Sequence, residues 1–130
     1  MKKLILALAA CALGASLAFA ATVAKISPVD AAQRAAASTA VLIDVREPAE
    51  WSATGVAAPA VLLPMSDFKG AQKLWKPFLE KNAGKELILY CRTGHRAGIV
   101  GEQLAAAGRT VANAGGFRDW TAAKLPVRQP

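Results

Sequence analysis

The stretch "LYCRTGHRAG", residues 89–98, sets a cysteine directly after strand-forming residues and directly before three basic side chains, with Gly94 and Gly98 among them. The chemistry open to such a cysteine is that of its thiolate. A free thiol has a pKa of about 8.5, and lowering it by about two units requires roughly 2.7 kcal/mol of preference for the charged form. Backbone N–H groups at a helix start have no intrahelical partner and carry the positive end of the dipole, so a loop curling over them can hold a thiolate or a bound anion. Glycine at position 94 permits backbone angles that let several N–H groups converge on one point. The candidate site is therefore the loop of Cys91, Arg92, Thr93, Gly94, His95 and Arg96, with Cys91 as nucleophile. Arg96 is placed either to bond the loop's carbonyls or to hold the anionic end of a donor. Arg92 faces either that donor or solvent. His95, the single histidine, reads as an exposed residue that adds positive potential; imidazole's capacity to exchange protons makes a proton partner the alternative.

The elements that must position this loop are legible as alternating runs. Residues 41–45 (VLIDV), 60–64 (AVLLP), 86–91 (ELILYC) and 110–114 (TVANA) are short apolar or β-branched stretches bounded by Gly, Pro, Asp or Asn, and each predicts a buried strand. Residues 28–38 predict a helix, with Ser27 as N-cap and Pro28 at its first position. Residues 70–82 put Ala71, Leu74, Trp75 and Phe78 on one face, although Pro77 should kink or divide that helix. Residues 96–108 align Ala97, Val100, Leu104 and Ala107 and end at Gly108, where a C-terminal cap belongs. Alternation of strands and helices predicts an α/β domain with a largely parallel sheet covered by helices on both faces. Cys91 then stands at the carboxyl end of a strand, where open α/β sheets bind ligands. Trp51, Trp75, Trp120, Phe78 and Phe117 read as core residues, one of them available to wall a pocket.

The N-terminus bears on the compartment. Residues 1–20, MKKLILALAACALGASLAFA, combine Lys2 and Lys3, an apolar stretch and an Ala-Phe-Ala site, which is the pattern of a secretory signal peptide. Residues 21–130 remain as one domain, expected to be periplasmic or secreted. Two alternatives stay open: a retained N-terminal anchor, and a lipidated Cys11, because LAAC at residues 8–11 resembles a bacterial lipobox. If Cys11 leaves, Cys91 is alone and has no internal disulfide partner, so it is either buried and inert or kept for chemistry. The chain has a formal charge of +7, falling to +5 without Lys2 and Lys3. Its basic residues are dispersed, with no block and no interleaved aromatics to suggest a nucleic-acid surface, and they suit small anions instead. A lone cysteine and a lone histidine make no metal site, and no organic cofactor is expected.

Three motifs in order, "LIDVREPAEW", "LILYCRTGHRAG" and "NAGGFRDW", resemble the single-domain rhodaneses, a resemblance that covers essentially the whole of residues 26–126. The resemblance implies the rhodanese fold and a sulfurtransferase activity. It makes Cys91 the residue that accepts a sulfane sulfur from thiosulfate or a similar donor and passes it to cyanide or a thiol. It makes residues 91–96 the loop whose amides hold that sulfur, with Asp44 and Arg46 as supporting residues that organise the site and Gly115 and Gly116 as the paired glycines before the last helix. One segment departs from the family's usual Gly-His-Ile, reading Gly55, Val56 and Ala57, which puts the local turn geometry and any partner surface there in question. Within the same fold, phosphatases and arsenate reductases are the rival enzymes. Four residues separate Cys91 and Arg96 here, as in the sulfurtransferases this chain resembles, whereas the related phosphatases have five. A smaller loop suits one added sulfur atom. A sulfur carrier serving a protein acceptor, or a binding module, is the further alternative.

Overall fold

A computed structural model describes residues 22–130; the expectations for residues 1–20 lie outside them. Five parallel strands form the central sheet: β1 (Ala24–Lys25), β2 (Ala40–Asp44), β4 (Val61–Leu62), β5 (Glu86–Cys91) and β6 (Val111–Gly116), in the order β1-β6-β5-β2-β4. The predicted parallel α/β architecture is what the chain adopts. β5 lies in the middle, and its LILYC side chains are buried on both faces, the pattern expected of a sheet covered on both sides. A separate two-stranded antiparallel pair joins β3 (Val56–Ala57) to β7 (Val127–Arg128).

The helices divide between the two faces. On one side, α1 (Pro28–Ala36) and α6 (Phe117–Ala122) bury Ala31 and Trp120 against Leu42, Ile88, Tyr90 and Ala112. On the other, α3 (Met65–Lys69), α4 (Trp75–Lys81) and α5 (His95–Ala106) bury Phe68, Trp75, Ala97, Val100 and Leu104 against Ile43, Leu87 and Leu89. The remaining helix, α2 (Pro48–Thr54), follows β2. Among the described residues, no helix is long and apolar enough to cross a membrane.

Local chemistry explains the boundaries. Ser27 caps α1 as expected, its Oγ accepting from Asp30 N–H at 3.1 Å. Gly108, with φ of +89°, follows the last turn of α5 in a left-handed conformation. The single helix expected over residues 70–82 is corrected. Helix forms only from Trp75, and Pro77 falls in its first turn, where the missing N–H costs no intrahelical bond. Asp67 starts that helix by accepting N–H bonds from Lys73, Leu74 and Trp75 at 2.9–3.0 Å. Ala71 and Leu74 are exposed in consequence, Leu74 at 52%. The unusual Val56-Ala57 segment is buried as β3, and Ala57 N–H donates to the Tyr90 hydroxyl at 3.0 Å.

Candidate functional site

The carboxyl ends of three adjacent strands bring the site together. In the β2–β5 register Asp44 lies opposite Tyr90, and in the β5–β6 register Cys91 lies opposite Gly116. The chain leaves β5 at Cys91, turns through residues 92–94 and enters α5 at His95. Gly94 is the N-cap and has φ of +99°, so the turn depends on a residue with no Cβ. Gly94 N–H points back at the Cys91 sulfur, with N to Sγ of 3.0 Å. One loop amide therefore already addresses the thiol.

Two braces hold the loop in this shape. Asn113 on β6 donates from Nδ2 to Gly94 C=O at 2.9 Å while its Oδ1 accepts from Gly115 N–H at 2.9 Å. Gly116 lies so close under the loop that a Cβ built on it would collide with the Arg92 carbonyl. Asp119 fixes Gly116 in turn, accepting its N–H at 2.9 Å. The paired glycines thus serve two needs, since Gly115 has φ of +81° and Gly116 allows close approach.

Cys91 is fully buried and packs in the apolar cluster beneath α5. The reason is topological: β5 is the central strand, so its last side chain still lies under the helix that follows. The thiol is free, with polar contact from the loop amide alone among the described hydrogen bonds.

Arg96 does not bond the loop's carbonyls, the first of the two roles expected of it. Its two terminal nitrogens donate to the two carboxylate oxygens of Glu50 on α2, each at 2.7 Å, in a bidentate pair. Glu50 Oε2 accepts in addition from Glu47 N–H at 2.9 Å, so α2's own first turn orients the carboxylate. The Arg96 bonds, opposed by partial burial, hold the Glu50 carboxyl down at about 2 instead of 4.5. The same bonds raise Arg96, with a smaller contribution from the nearby Cys91. Glu50 escaped the sequence reading because nothing in "REPAEW" marks a partner 46 residues away.

Asp44 and Arg46, the two supporting residues the resemblance implies, form a buried ion pair at the carboxyl end of β2. Arg46 donates from Nε and a terminal nitrogen to the Asp44 carboxylate at 2.8–3.1 Å, and its own backbone N–H reaches Asp44 Oδ1 at 2.9 Å. Its other bonds go to Thr54 Oγ1 and Gly55 C=O, both at 2.9 Å. Burial opposes the Arg46 charge, but bonding and attraction to Asp44, together with Tyr90 and Glu50 nearby, outweigh it and raise its pKa. The guanidinium also sits 4.5 Å from the Phe117 ring centre, and Phe117 stacks on Tyr90.

Two clefts flank the loop and meet it at Thr93. One, of about 640 Å³, lies between α2 and α6 and is walled by Arg46, Glu50, Arg92, Phe117 and Arg118. The other, of about 540 Å³, includes Lys25, His95, Asn113 and Asp119. His95 is exposed and belongs to this second cleft, while Arg92 is exposed at the first. No cluster able to hold a metal ion occurs among the described residues.

A family model for the rhodanese-like domain matches residues 27–123, spanning all three motifs and the loop. The chain belongs to the rhodanese-like family. A curated relative, an uncharacterised protein of Synechocystis sp., is 32% identical over 104 residues, which cover 78% of this chain and 54% of that protein. The chain thus spans about half the length of the curated relative it matches. Among solved structures, this rhodanese-like domain is similar to the polysulfide-sulfur transferase homodimer of Wolinella succinogenes, with 27% identity, a TM-score of 0.65, and 82% and 78% of the two chains covered. It is also similar to a protein of unknown function from Rhodopseudomonas palustris described as a possible tyrosine phosphatase. There the identity is 20%, the TM-score 0.67, and the coverage 82% and 85%. At that identity the likeness speaks for the fold alone, so the chemistry of the rhodanese-like domain has to be argued from its own loop.

Proposed function

We propose that this rhodanese-like domain is a sulfurtransferase in which Cys91 carries the sulfur. The observation that bears most weight is the loop itself: Gly94 N–H stands 3.0 Å from Sγ inside a turn with four residues between Cys91 and Arg96. Such a cradle is sized for one added sulfur atom, and the sulfur-transferring neighbour from W. succinogenes favours the same chemistry. The Cys91 thiolate attacks the outer sulfur of thiosulfate or another sulfane donor. The new S–S bond forms as the donor's S–S bond breaks, and sulfite leaves with the electron pair. An acceptor, cyanide or a thiolate, then attacks the terminal sulfur and returns the electron pair to Cys91. Asp44 and Arg46 lock the end of β2, and Arg96 with Glu50 locks the start of α5, so the loop amides are preorganised for the developing negative charge.

Mass spectrometry tests this directly. Brief incubation with thiosulfate or polysulfide, followed by removal of small molecules, is expected to leave the protein one sulfur atom heavier, and cyanide to remove that mass. A protein that gains no sulfur but hydrolyses an aryl phosphate would overturn the reading in favour of the phosphatase alternative. A protein that does neither is a binding module.

We further propose export, on the strength of the pattern in residues 1–20. N-terminal sequencing of protein recovered from the periplasm or medium is expected to begin at residue 21. An intact N-terminus or a lipidated Cys11 contradicts that.

A further inference from the structure

We propose that the outer face of α4, with the turn that leads into it, docks on an anionic lipid surface. The inference goes beyond the sulfurtransferase reading and does not depend on it. Residues 69–85 carry Lys69, Lys73, Lys76, Lys81 and Lys85 against one carboxylate, Glu80, a net charge of +4. The chain without Lys2 and Lys3 has a formal charge of +5, so nearly all of its excess lies on this one stretch. Spacing along the sequence hides the concentration, because the lysines stand three to five residues apart. All five are exposed, and none is in an ion pair among the described residues. Asp67, which lies beside Lys73, is engaged by three backbone N–H groups. Arg109 adds a positive charge at the end of α4, donating to Leu79 C=O at 3.2 Å and to Asn82 C=O at 2.6 Å.

One apolar side chain stands among these charges. Leu74 is half exposed, and the turn holds it there. Its N–H donates to Asp67 Oδ2 at 3.0 Å, Gln72 before it has φ of +54°, and Gln72 Nε2 donates to Phe68 C=O at 2.8 Å. From Trp75 onward the helix is amphipathic: Trp75, Phe78 and Leu79 pack on the core, while Lys76, Pro77, Glu80 and Lys81 face solvent. Chemistry favours a lipid surface as the occupant. Neither cleft beside the loop is lined by any residue of this stretch, so the face offers spread charge in place of a pocket for a small anion. Its cations are lysines, compact point charges without the fork that reads a carboxylate bidentately, and they suit the diffuse charge of headgroup phosphates. Lysine stems can lie along the interface with their ammonium groups at the phosphates while Leu74 enters the acyl boundary. A domain docked in this way keeps both clefts clear of the contact.

Two measurements on the full chain test the proposal. In the first, the protein is sedimented at low salt with vesicles of phosphatidylcholine alone or mixed with phosphatidylglycerol, the former measuring contact through the rest of the chain. The anionic vesicles are expected to bind at least a hundredfold more tightly, and the difference to shrink as salt is raised. Lys76→Gln, Lys81→Gln and Lys85→Gln together are expected to weaken anionic-vesicle binding about a hundredfold, at about fivefold or about 1 kcal/mol per lysine. Leu74→Ser is expected to weaken it several-fold, and circular dichroism establishes that both variants fold. In the second, lysines are acetylated by a water-soluble reagent with and without anionic vesicles. Lys73, Lys76 and Lys81 are expected to be protected, while Lys25 and Lys124 react as before. Equal affinity for both vesicle types, a folded triple variant that binds as the native protein does, or protection spread evenly over all lysines would overturn the docking face. Binding to polyglutamate without a preference for anionic vesicles overturns the lipid surface in favour of an acidic protein partner.

Discussion

The Glu50 carboxylate takes both terminal nitrogens of Arg96 at 2.7 Å, tying α2 to the first turn of the helix that follows the reactive loop. Arg96 is thereby held as a fixed part of the loop's frame. Glu50→Gln keeps the shape but loses the charge and one acceptor. It is expected to slow sulfur loading by roughly tenfold, as for loss of one preorganised charge contact worth about 1.4 kcal/mol. The pair also has a pH signature. Because folding lowers the Glu50 pKa from 4.5 to about 2, its stabilisation is present above the unfolded value and is lost as pH falls from about 4.5 towards 2. Acid unfolding of Glu50→Gln should lack that part of the slope, and identical acid profiles for the two proteins would contradict this assignment.

Removal of one partner of the buried Asp44–Arg46 pair leaves the other charge without its main partner. Arg46→Met is therefore expected to destabilise by about 3–5 kcal/mol, the range for an orphaned buried ion. Asp44→Asn together with Arg46→Met should recover a measurable part of that loss. Urea denaturation of the two variants decides the point, and equal midpoints would show that the pair is uncoupled.

Tyr90, the single tyrosine, is buried between β2 and β6 with its hydroxyl on Ala57 N–H. Burial and the nearby Asp44 carboxylate push its pKa well above the usual 10.0. A group whose folded pKa is raised contributes stability below the unfolded pKa and loses it as pH rises beyond. Tyrosinate absorbance is accordingly expected to stay absent through pH 10 and to appear only together with unfolding. Reversible ionisation near pH 10 in folded protein would contradict this burial.

The strand LILYC and the helix beginning near Arg96 were readable because their periodicities were clean, and Cys91 followed from standing at their junction. What escaped was non-local. Residues 70–82 carry a helical face, yet Asp67 starts the helix only at Trp75 by collecting three amides, an event that no pattern of apolar spacing records. Glu50 and Asn113 brace the loop from other elements, and only the sheet order shows that those elements converge. The place of Cys91 beneath α5 follows from the same kind of fact, since β5 is central only because β6 pairs on one side of it and β2 on the other.

Glycines on either side of the loop should respond oppositely to alanine. At Gly98, inside α5, a Cβ would meet Asn113 Nδ2 at an ordinary 3.7 Å, so Gly98→Ala is expected to stabilise by about 0.5–1 kcal/mol through helix propensity. At Gly116 the obstacle is the Arg92 carbonyl, which is backbone and cannot rotate away. Gly116→Ala should displace the loop, destabilise by about 1–3 kcal/mol, and lower sulfur loading more than stability alone predicts. Thermal melts paired with loading rates check both, and a Gly116→Ala protein that loads normally would remove Gly116 from the site's support.

Loop length offers the sharpest separation of sulfur from phosphorus chemistry. Insertion of one glycine between His95 and Arg96 enlarges the cradle, moves Gly94 N–H relative to Sγ, and strains or breaks the bidentate contact of Arg96 with Glu50. Sulfur loading from thiosulfate is expected to fall by at least tenfold, and slow hydrolysis of an aryl phosphate becomes sterically open. Cys91→Ser in the native loop should abolish loading altogether, because an alcohol is a far weaker nucleophile at neutral pH and holds no sulfane sulfur. Circular dichroism of both variants establishes that the fold survives, so that the loss can be assigned to the loop. If the enlarged loop loads sulfur as fast as the native one, the size of the cradle does not decide the chemistry, and the four-residue spacing loses its value as an argument against phosphoryl transfer.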